Sequence, residues 1–136
     1  MTDELKDWTS IETPQDIRLV VADMDGTLLD ADSELPLGFW PMLDRLEQRG
    51  IAFVPASGRQ YQTLQQMFAR AGRPMSVIAE NGNVVAVDGE VVETHGVNHG
   101  IADETISMVD ATSEDLGLVV CGLDSAYIQR TDAPFV

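Results

Sequence analysis

The chain has 136 residues, of which 44% are hydrophobic, and its 23 acidic against 8 basic side chains give a formal net charge of −15. This length and composition suit one compact domain, or one domain with part of another, and the acidity argues against a nucleic-acid partner because Lys and Arg hold phosphate backbones. The sequence contains neither an apolar run of the ~18 residues that span a membrane nor the features of a signal peptide, which predicts a soluble, cytoplasmic protein without a membrane partner.

The first half of the sequence alternates between apolar runs and amphipathic segments. After a polar lead-in over residues 1–16, the runs at 18–22, 51–57 and 75–81 predict strands, and the segments at 36–50 and 61–72 predict helices. Such alternation with short connections is typical of a parallel sheet with helices on its faces. We therefore predict an α/β fold in which residues 17–86 form the first half of an incomplete, Rossmann-like three-layer core.

The pattern changes after Asn81. Two β-rich runs flank Asp88-Gly89, which is a strong hairpin signal, and a helical segment near residues 100–117 and two short strands follow. This pattern predicts that residues 87–136 begin an α+β cap domain. The apolar surroundings of Cys121, the single cysteine, predict a buried thiol.

Polar residues follow each of the three predicted parallel strands. They are Asp23 and Asp25, then Ser57, Gly58 and Arg59, and then Glu80 and Asn81. Ligands of open parallel sheets bind beyond the carboxyl ends of the strands, so we expect these residues to converge on one site. A carboxylate there can act as a nucleophile, bind a metal or cap a helix, but capping does not easily explain two aspartates separated by one residue.

Three stretches resemble the Cof-type branch of the haloacid dehalogenase superfamily of phosphohydrolases. "DMDGTLLD" is similar to the first motif of the superfamily, and "FVPASGRQY" to the second motif of the branch. "VIAENGNVVAVDGEVV" resembles the passage through which the third strand of that branch enters a hairpin and a large cap. The resemblance covers about Ile17 to Arg130.

The resemblance implies a Mg²⁺-dependent phosphomonoester hydrolase acting on small phosphorylated metabolites such as sugar phosphates. Asp23 would attack phosphorus and form an aspartyl-phosphate, and Asp25 would serve as general acid and base. The Asp23 carboxylate and the Asp25 backbone carbonyl would bind Mg²⁺. The residues implied for phosphate binding are Ser57, Gly58, Arg59 and Asn81; Arg59 could instead stabilise its loop.

Two elements that the resemblance implies have no counterpart in this sequence. They are a lysine that neutralises phosphate charge and a Gly-Asp-x-x-x-Asp cluster that completes the magnesium shell, whereas the only lysine here is Lys6, before the first motif. We therefore expect the 136 residues to be the N-terminal half of a Cof-type phosphatase, weak or inactive alone, and able to self-associate through its incomplete sheet.

Two other functions compete with this interpretation. The chain could be a non-catalytic remnant or interaction module of the same fold. A receiver-type switch fits less well, because its phosphate-accepting aspartate would follow the third strand, where this chain has Glu80 and Asn81.

Overall fold

A computed structural model describes residues 16–132, so the predicted lead-in lies outside the described residues except for its last residue. Five strands form one sheet in the order β1-β2-β3-β4-β5, and two more form a separate β6-β7 pair. The strands are β1 (Leu19–Asp23), β2 (Ala52–Ala56), β3 (Val77–Ala79), β4 (Val84–Val87), β5 (Glu90–Thr94), β6 (Val119–Cys121) and β7 (Ala126–Ile128). The helices are α1 (Phe39–Gln48), α2 (Tyr61–Met67) and α3 (His99–Ala111).

The large sheet is mixed. β1, β2 and β3 are parallel, and β1 pairs with β2 along its whole length, from Leu19 opposite Ala52 to Asp23 opposite Ala56. β4 and β5 continue the sheet in antiparallel pairs. This arrangement confirms the predicted α/β class, and the parallel strands bring the ends of β1, β2 and β3 to one edge.

One face of the sheet carries the core. α1 and α2 lie against it, and the aromatic rings of Phe39, Phe53 and Phe68 form a cluster with centroids 5.2 to 6.4 Å apart. Leu64, Phe68 and Val77 are fully buried. Burial of each such side chain contributes ~1.5–3 kcal/mol, so this layer is the main source of stability of the described residues.

The opposite face of β1 has no covering helix. Leu19 and Val21 are 55% and 49% exposed, while Val20, which alternates with them, packs against the core. β1 also pairs with β2 alone among the described strands. The sheet therefore has an apolar face and a strand edge that nothing in residues 16–132 covers.

The structure bears on three expectations about the second half. β5 pairs with β4, so the large sheet continues past the predicted boundary at residue 86, whereas the division into core and cap domains stays a prediction. Cys121 is exposed rather than buried, as are the other two residues of β6. The Asp88-Gly89 hairpin is confirmed, with φ angles of 50° and 84° at its two turn residues.

Among the helices of the described residues, none has the length and apolar character to cross a membrane.

Candidate active site

The turn after β1 exposes both aspartates of the first motif. Met24 is fully buried in the core, while its neighbours Asp23 and Asp25 are exposed. Gly26 has a φ of +77°, and the Leu29 amide donates to the Met24 carbonyl at 2.9 Å, closing the turn. A left-handed φ costs most residues ~1–2 kcal/mol but costs glycine little, which explains why glycine occupies this position.

Thr27 orients the first of the two carboxylates. Its hydroxyl donates to Asp23 Oδ2 at 3.1 Å. This hydrogen bond leaves the other carboxylate oxygen of Asp23 available to a ligand. Thr27 therefore links the end of the turn back to the last residue of β1.

Ser57 is the one polar side chain among the described residues that is buried, with 8% of its surface exposed. Its amide donates to the Ile78 carbonyl at 2.9 Å, and its Oγ accepts from the Arg59 amide at 3.1 Å. The hydroxyl hydrogen is therefore free to donate to an anion, because Oγ acts only as an acceptor in its contact with Arg59.

The proline of β2 lies just outside the short contact between β2 and β3, which is limited to the site end of these strands. Because the Ser57 amide faces β3, the nitrogen of Pro55, two residues earlier, faces β3 as well, and it has no hydrogen to donate. β3 begins only at Val77, and its pairing with β2 is limited to Ala56 opposite Ile78. The missing donor thus falls before the ladder begins.

Asn81 is brought to Gly58 by a strained turn after β3. Glu80, Asn81 and Gly82 have consecutive φ angles of 52°, 56° and 93°, and the Asn81 amide donates to the Ser57 carbonyl at 3.1 Å. A Cβ on Gly58 would lie 2.9 Å from Asn81 Oδ1, so a larger residue at position 58 would displace the Asn81 side chain from this position. Left-handed backbone at non-glycine residues clusters at functional sites.

These side chains surround a cavity of about 310 Å³ at the carboxyl ends of the three parallel strands. Its lining residues are Asp23, Ala56, Ser57, Gly58, Ile78, Asn81 and Gly82. Four of the six predicted site residues are therefore brought together. Ala56, Ile78 and Gly82 were missed, although their position at or beside the ends of β2 and β3 was a usable signal.

The other two predicted residues, Asp25 and Arg59, form an ion pair beside the cavity. Arg59 Nη2 donates to Asp25 Oδ1 at 2.6 Å, and Arg59 Nε donates to Asp25 Oδ2 at 3.1 Å. These hydrogen bonds lower the pKa of Asp25 below its ordinary value; partial desolvation opposes them, and the charge of the same guanidinium reinforces them. In this arrangement Asp25 is a carboxylate at neutral pH, the form that accepts a proton.

The oxygen atoms near Asp23 supply only part of a binding site for Mg²⁺. Carboxylate and carbonyl oxygens are the ligands that Mg²⁺ prefers, and it often binds through one or two carboxylates plus substrate phosphates. Asp23 and the Asp25 carbonyl are oxygens of this kind. Within residues 16–132, no group of three or more His, Cys, Asp or Glu side chains could hold a metal ion.

Comparisons with known proteins find similar sequences for most of this chain. A family model described as haloacid dehalogenase-like hydrolase matches residues 20–134. The chain is 33% identical over 112 residues to the 5-amino-6-(5-phospho-D-ribitylamino)uracil phosphatase of Escherichia coli (strain K12), covering 82% of this chain and 41% of that protein. It is 30% identical over 118 residues to the HMP-PP phosphatase of Cronobacter sakazakii (strain ATCC BAA-894), covering 86% and 42%.

A solved structure shows the same fold. The chain superposes on a haloacid dehalogenase-like hydrolase from B. subtilis with a TM-score of 0.72 and 24% identity, over 85% of this chain and 40% of that one. The chain spans about 40% of the length of the curated relatives it matches.

Proposed function

The chain belongs to the haloacid dehalogenase-like hydrolases, and from this membership we propose that its site serves Mg²⁺-dependent hydrolysis of small phosphate monoesters. The observation that carries the proposal is the placement of Asp23, Ser57, Gly58 and Asn81 around one cavity. The Ser57 hydroxyl and the Asn81 side-chain amide can donate hydrogen bonds to a phosphate group. Two curated relatives are named as phosphatases of small phosphorylated compounds. Sugar phosphates and similar metabolites are the substrate class we propose.

The reaction would proceed in two displacements. A carboxylate oxygen of Asp23 forms a bond to phosphorus as the ester P–O bond breaks. Asp25, a carboxylate while Arg59 holds it, would have to take up a proton from solvent before this step, and it then donates that proton to the leaving oxygen. Asp25 then takes a proton from the water that attacks the aspartyl-phosphate, which releases inorganic phosphate and restores Asp23. The Ser57 hydroxyl holds a phosphoryl oxygen throughout.

Asp23 and the Asp25 backbone carbonyl would hold Mg²⁺ in this proposal. The ion would supply positive charge that offsets repulsion between the Asp23 carboxylate and the anionic substrate. Few protein ligands in residues 16–132 are available to it. We therefore propose that the 136-residue chain by itself turns over p-nitrophenyl phosphate weakly or not at all.

Phosphoryl trapping tests the assignment of Asp23. The chain would be incubated with acetyl phosphate and Mg²⁺, quenched in acid and analysed by intact-mass spectrometry. We expect one phosphoryl group on Asp23, its loss in Asp23→Asn, and its retention in Asp32→Asn, which removes a carboxylate from the same exposed connection. An adduct that persists in Asp23→Asn would refute the role of Asp23.

The trapping experiment also separates the enzyme from a non-catalytic binding module. Phosphate binding without an adduct would favour the module. If neither phosphate binding nor an adduct were found, the cavity would not be a phosphate site. Turnover of p-nitrophenyl phosphate that requires both Mg²⁺ and Asp23 would contradict the expected inactivity of the 136-residue chain.

We also propose that this chain self-associates through the exposed face and free edge of β1. Leu19 and Val21 are half exposed there, and two identical edges can pair antiparallel about a twofold axis. Sedimentation velocity should show a dimer that Val21→Lys converts to a monomer. Val97→Lys, at a 70% exposed position outside the sheet, is the control. A monomer at every concentration tested would refute the proposal.

A further inference from the structure

Arg59 is the one basic side chain on the site edge of the described sheet. The connections that follow β1, β2 and β3 run over residues 24–38, 57–60 and 80–83, and among these residues only Arg59 is basic. An anion that enters the cavity therefore meets a single guanidinium supplied by these connections. That guanidinium is already engaged with Asp25 through two hydrogen bonds.

The Arg59 backbone is fixed, whereas its side chain joins two separate loops. The Arg59 amide donates to Ser57 Oγ at 3.1 Å, and its carbonyl accepts from the Glu80 amide at 3.1 Å. The side chain crosses to Asp25, 34 residues away in sequence, and the two side chains are 31% and 57% exposed. A partly exposed ion pair contributes little to stability, so a stronger competitor for the guanidinium can open it.

Both members of the pair adjoin the cavity without lining it. Gly58 precedes Arg59 and lines the cavity, and Asp23 lines it two residues before Asp25. A phosphate monoester carries up to two negative charges and offers a guanidinium the same bidentate geometry as a carboxylate. It would therefore compete with Asp25 for the same two N–H groups.

Resting on the proposed function, we propose that Arg59 is a positioning residue that exchanges partners. It holds the Asp25 carboxylate beside the cavity until a phosphate group enters, and then transfers its guanidinium to that group. The transfer releases the Asp25 side chain to turn toward the ester oxygen. Arrival of the substrate would thus free the Asp25 side chain before it acts as general acid and then as general base.

A double-mutant cycle with inorganic phosphate tests this exchange on the 136-residue chain. Dissociation constants would be measured by ³¹P NMR for the wild type, Asp25→Asn, Arg59→Met and the double variant. If Asp25 competes for Arg59, Asp25→Asn tightens phosphate binding on the order of threefold to fivefold when Arg59 is present, and has a much smaller effect in Arg59→Met. Arg59→Met alone should weaken binding by a similar factor.

Two further variants control for charge and for folding. Arg18→Met removes a guanidinium that makes two hydrogen bonds to Asp16 at the opposite end of β1, and it should leave phosphate affinity nearly unchanged. Arg59→Lys keeps the charge but loses the two-pronged geometry, so its affinity should fall between those of the wild type and Arg59→Met. Far-ultraviolet circular dichroism confirms the fold of each variant.

The outcomes distinguish this inference from the proposed function. An equal gain from Asp25→Asn in both backgrounds would show simple charge repulsion and overturn the exchange, while the phosphate site would stand. Absence of phosphate binding in every variant would overturn both. Arg59-dependent tightening without any phosphoryl adduct on Asp23 would support the exchange and count against the proposed reaction.

Discussion

The two halves of the described chain differ in how they bury their side chains. Every buried side chain in residues 16–132 lies between Met24 and Ala86, whereas none lies between 87 and 132. In the first half a sheet faces two helices, and their apolar surfaces meet. In the second half Ile101 and Met108 of α3 are 58% and 68% exposed, and all three residues of β6 are exposed. Apolar periodicity thus produces a core only where a second layer is present.

The largest expected difference between the halves concerns truncation of a large apolar side chain. Phe68 is fully buried, so Phe68→Ala should lower the free energy of unfolding by ~3–5 kcal/mol through lost transfer energy and a cavity. Ile101→Ala in α3 should change it by less than ~1 kcal/mol. Urea unfolding followed by circular dichroism measures both, and equal losses would contradict the comparison.

The turn between β4 and β5 should be the next most sensitive position, because it packs against Pro74 and Tyr61 of the first half. Gly89 has a φ of +84°, a Cβ on it would lie 2.3 Å from Pro74 Cβ, and its carbonyl accepts from the Tyr61 hydroxyl at 2.7 Å. Gly89→Ala should therefore cost ~1–3 kcal/mol. Gly96→Ala, with no atom within 4 Å of its added Cβ, is the control for thermal unfolding. Matching melting temperatures for the two variants would show that the turn adapts.

Removing the N-terminal cap of helix α3 should destabilise that helix without destabilising the first half. Asn98 caps it, since its side-chain oxygen accepts from the Gly100 amide at 2.8 Å. Asn98→Ala should cost the helix ~1 kcal/mol, and hydrogen exchange should accelerate in α3 while β2 amides keep their protection. A parallel loss of protection in β2 would show that the two halves unfold together.

The smallest effect concerns the pH response of Asp25. Its folded pKa is lowered below the ordinary 3.8 by the hydrogen bonds from Arg59. The Asp25–Arg59 pair therefore makes its full contribution to stability at pH values above the ordinary pKa of Asp25. This contribution is lost as the pH falls through the pKa of Asp25 in the folded state. ¹³C NMR titration should give a higher midpoint for Asp25 in Arg59→Met than in the wild type. An unchanged midpoint would show that the pair does not persist in solution.

Sequence patterns predicted the elements of the first half because their signals are local. Leu64 and Phe68 share one face of a helix at a spacing of four residues, and Asp88-Gly89 specifies its turn through backbone angles that few other residue pairs adopt. The exposure of Cys121 could not be predicted in this way. Its apolar neighbours indicate a strand, but whether another layer covers that strand depends on residues far away in the sequence.

The sequence by itself determined the α/β class, the family resemblance and the placement of polar residues after three strands. Parallel pairing brings Asp23, Ser57 and Gly58 together because it aligns the strand ends, and the left-handed turn after β3 adds Asn81. The tertiary structure decided the partner of Arg59, which the sequence left open between substrate and loop. It binds Asp25 across 34 residues, a contact that depends on how two turns and one long side chain meet in space.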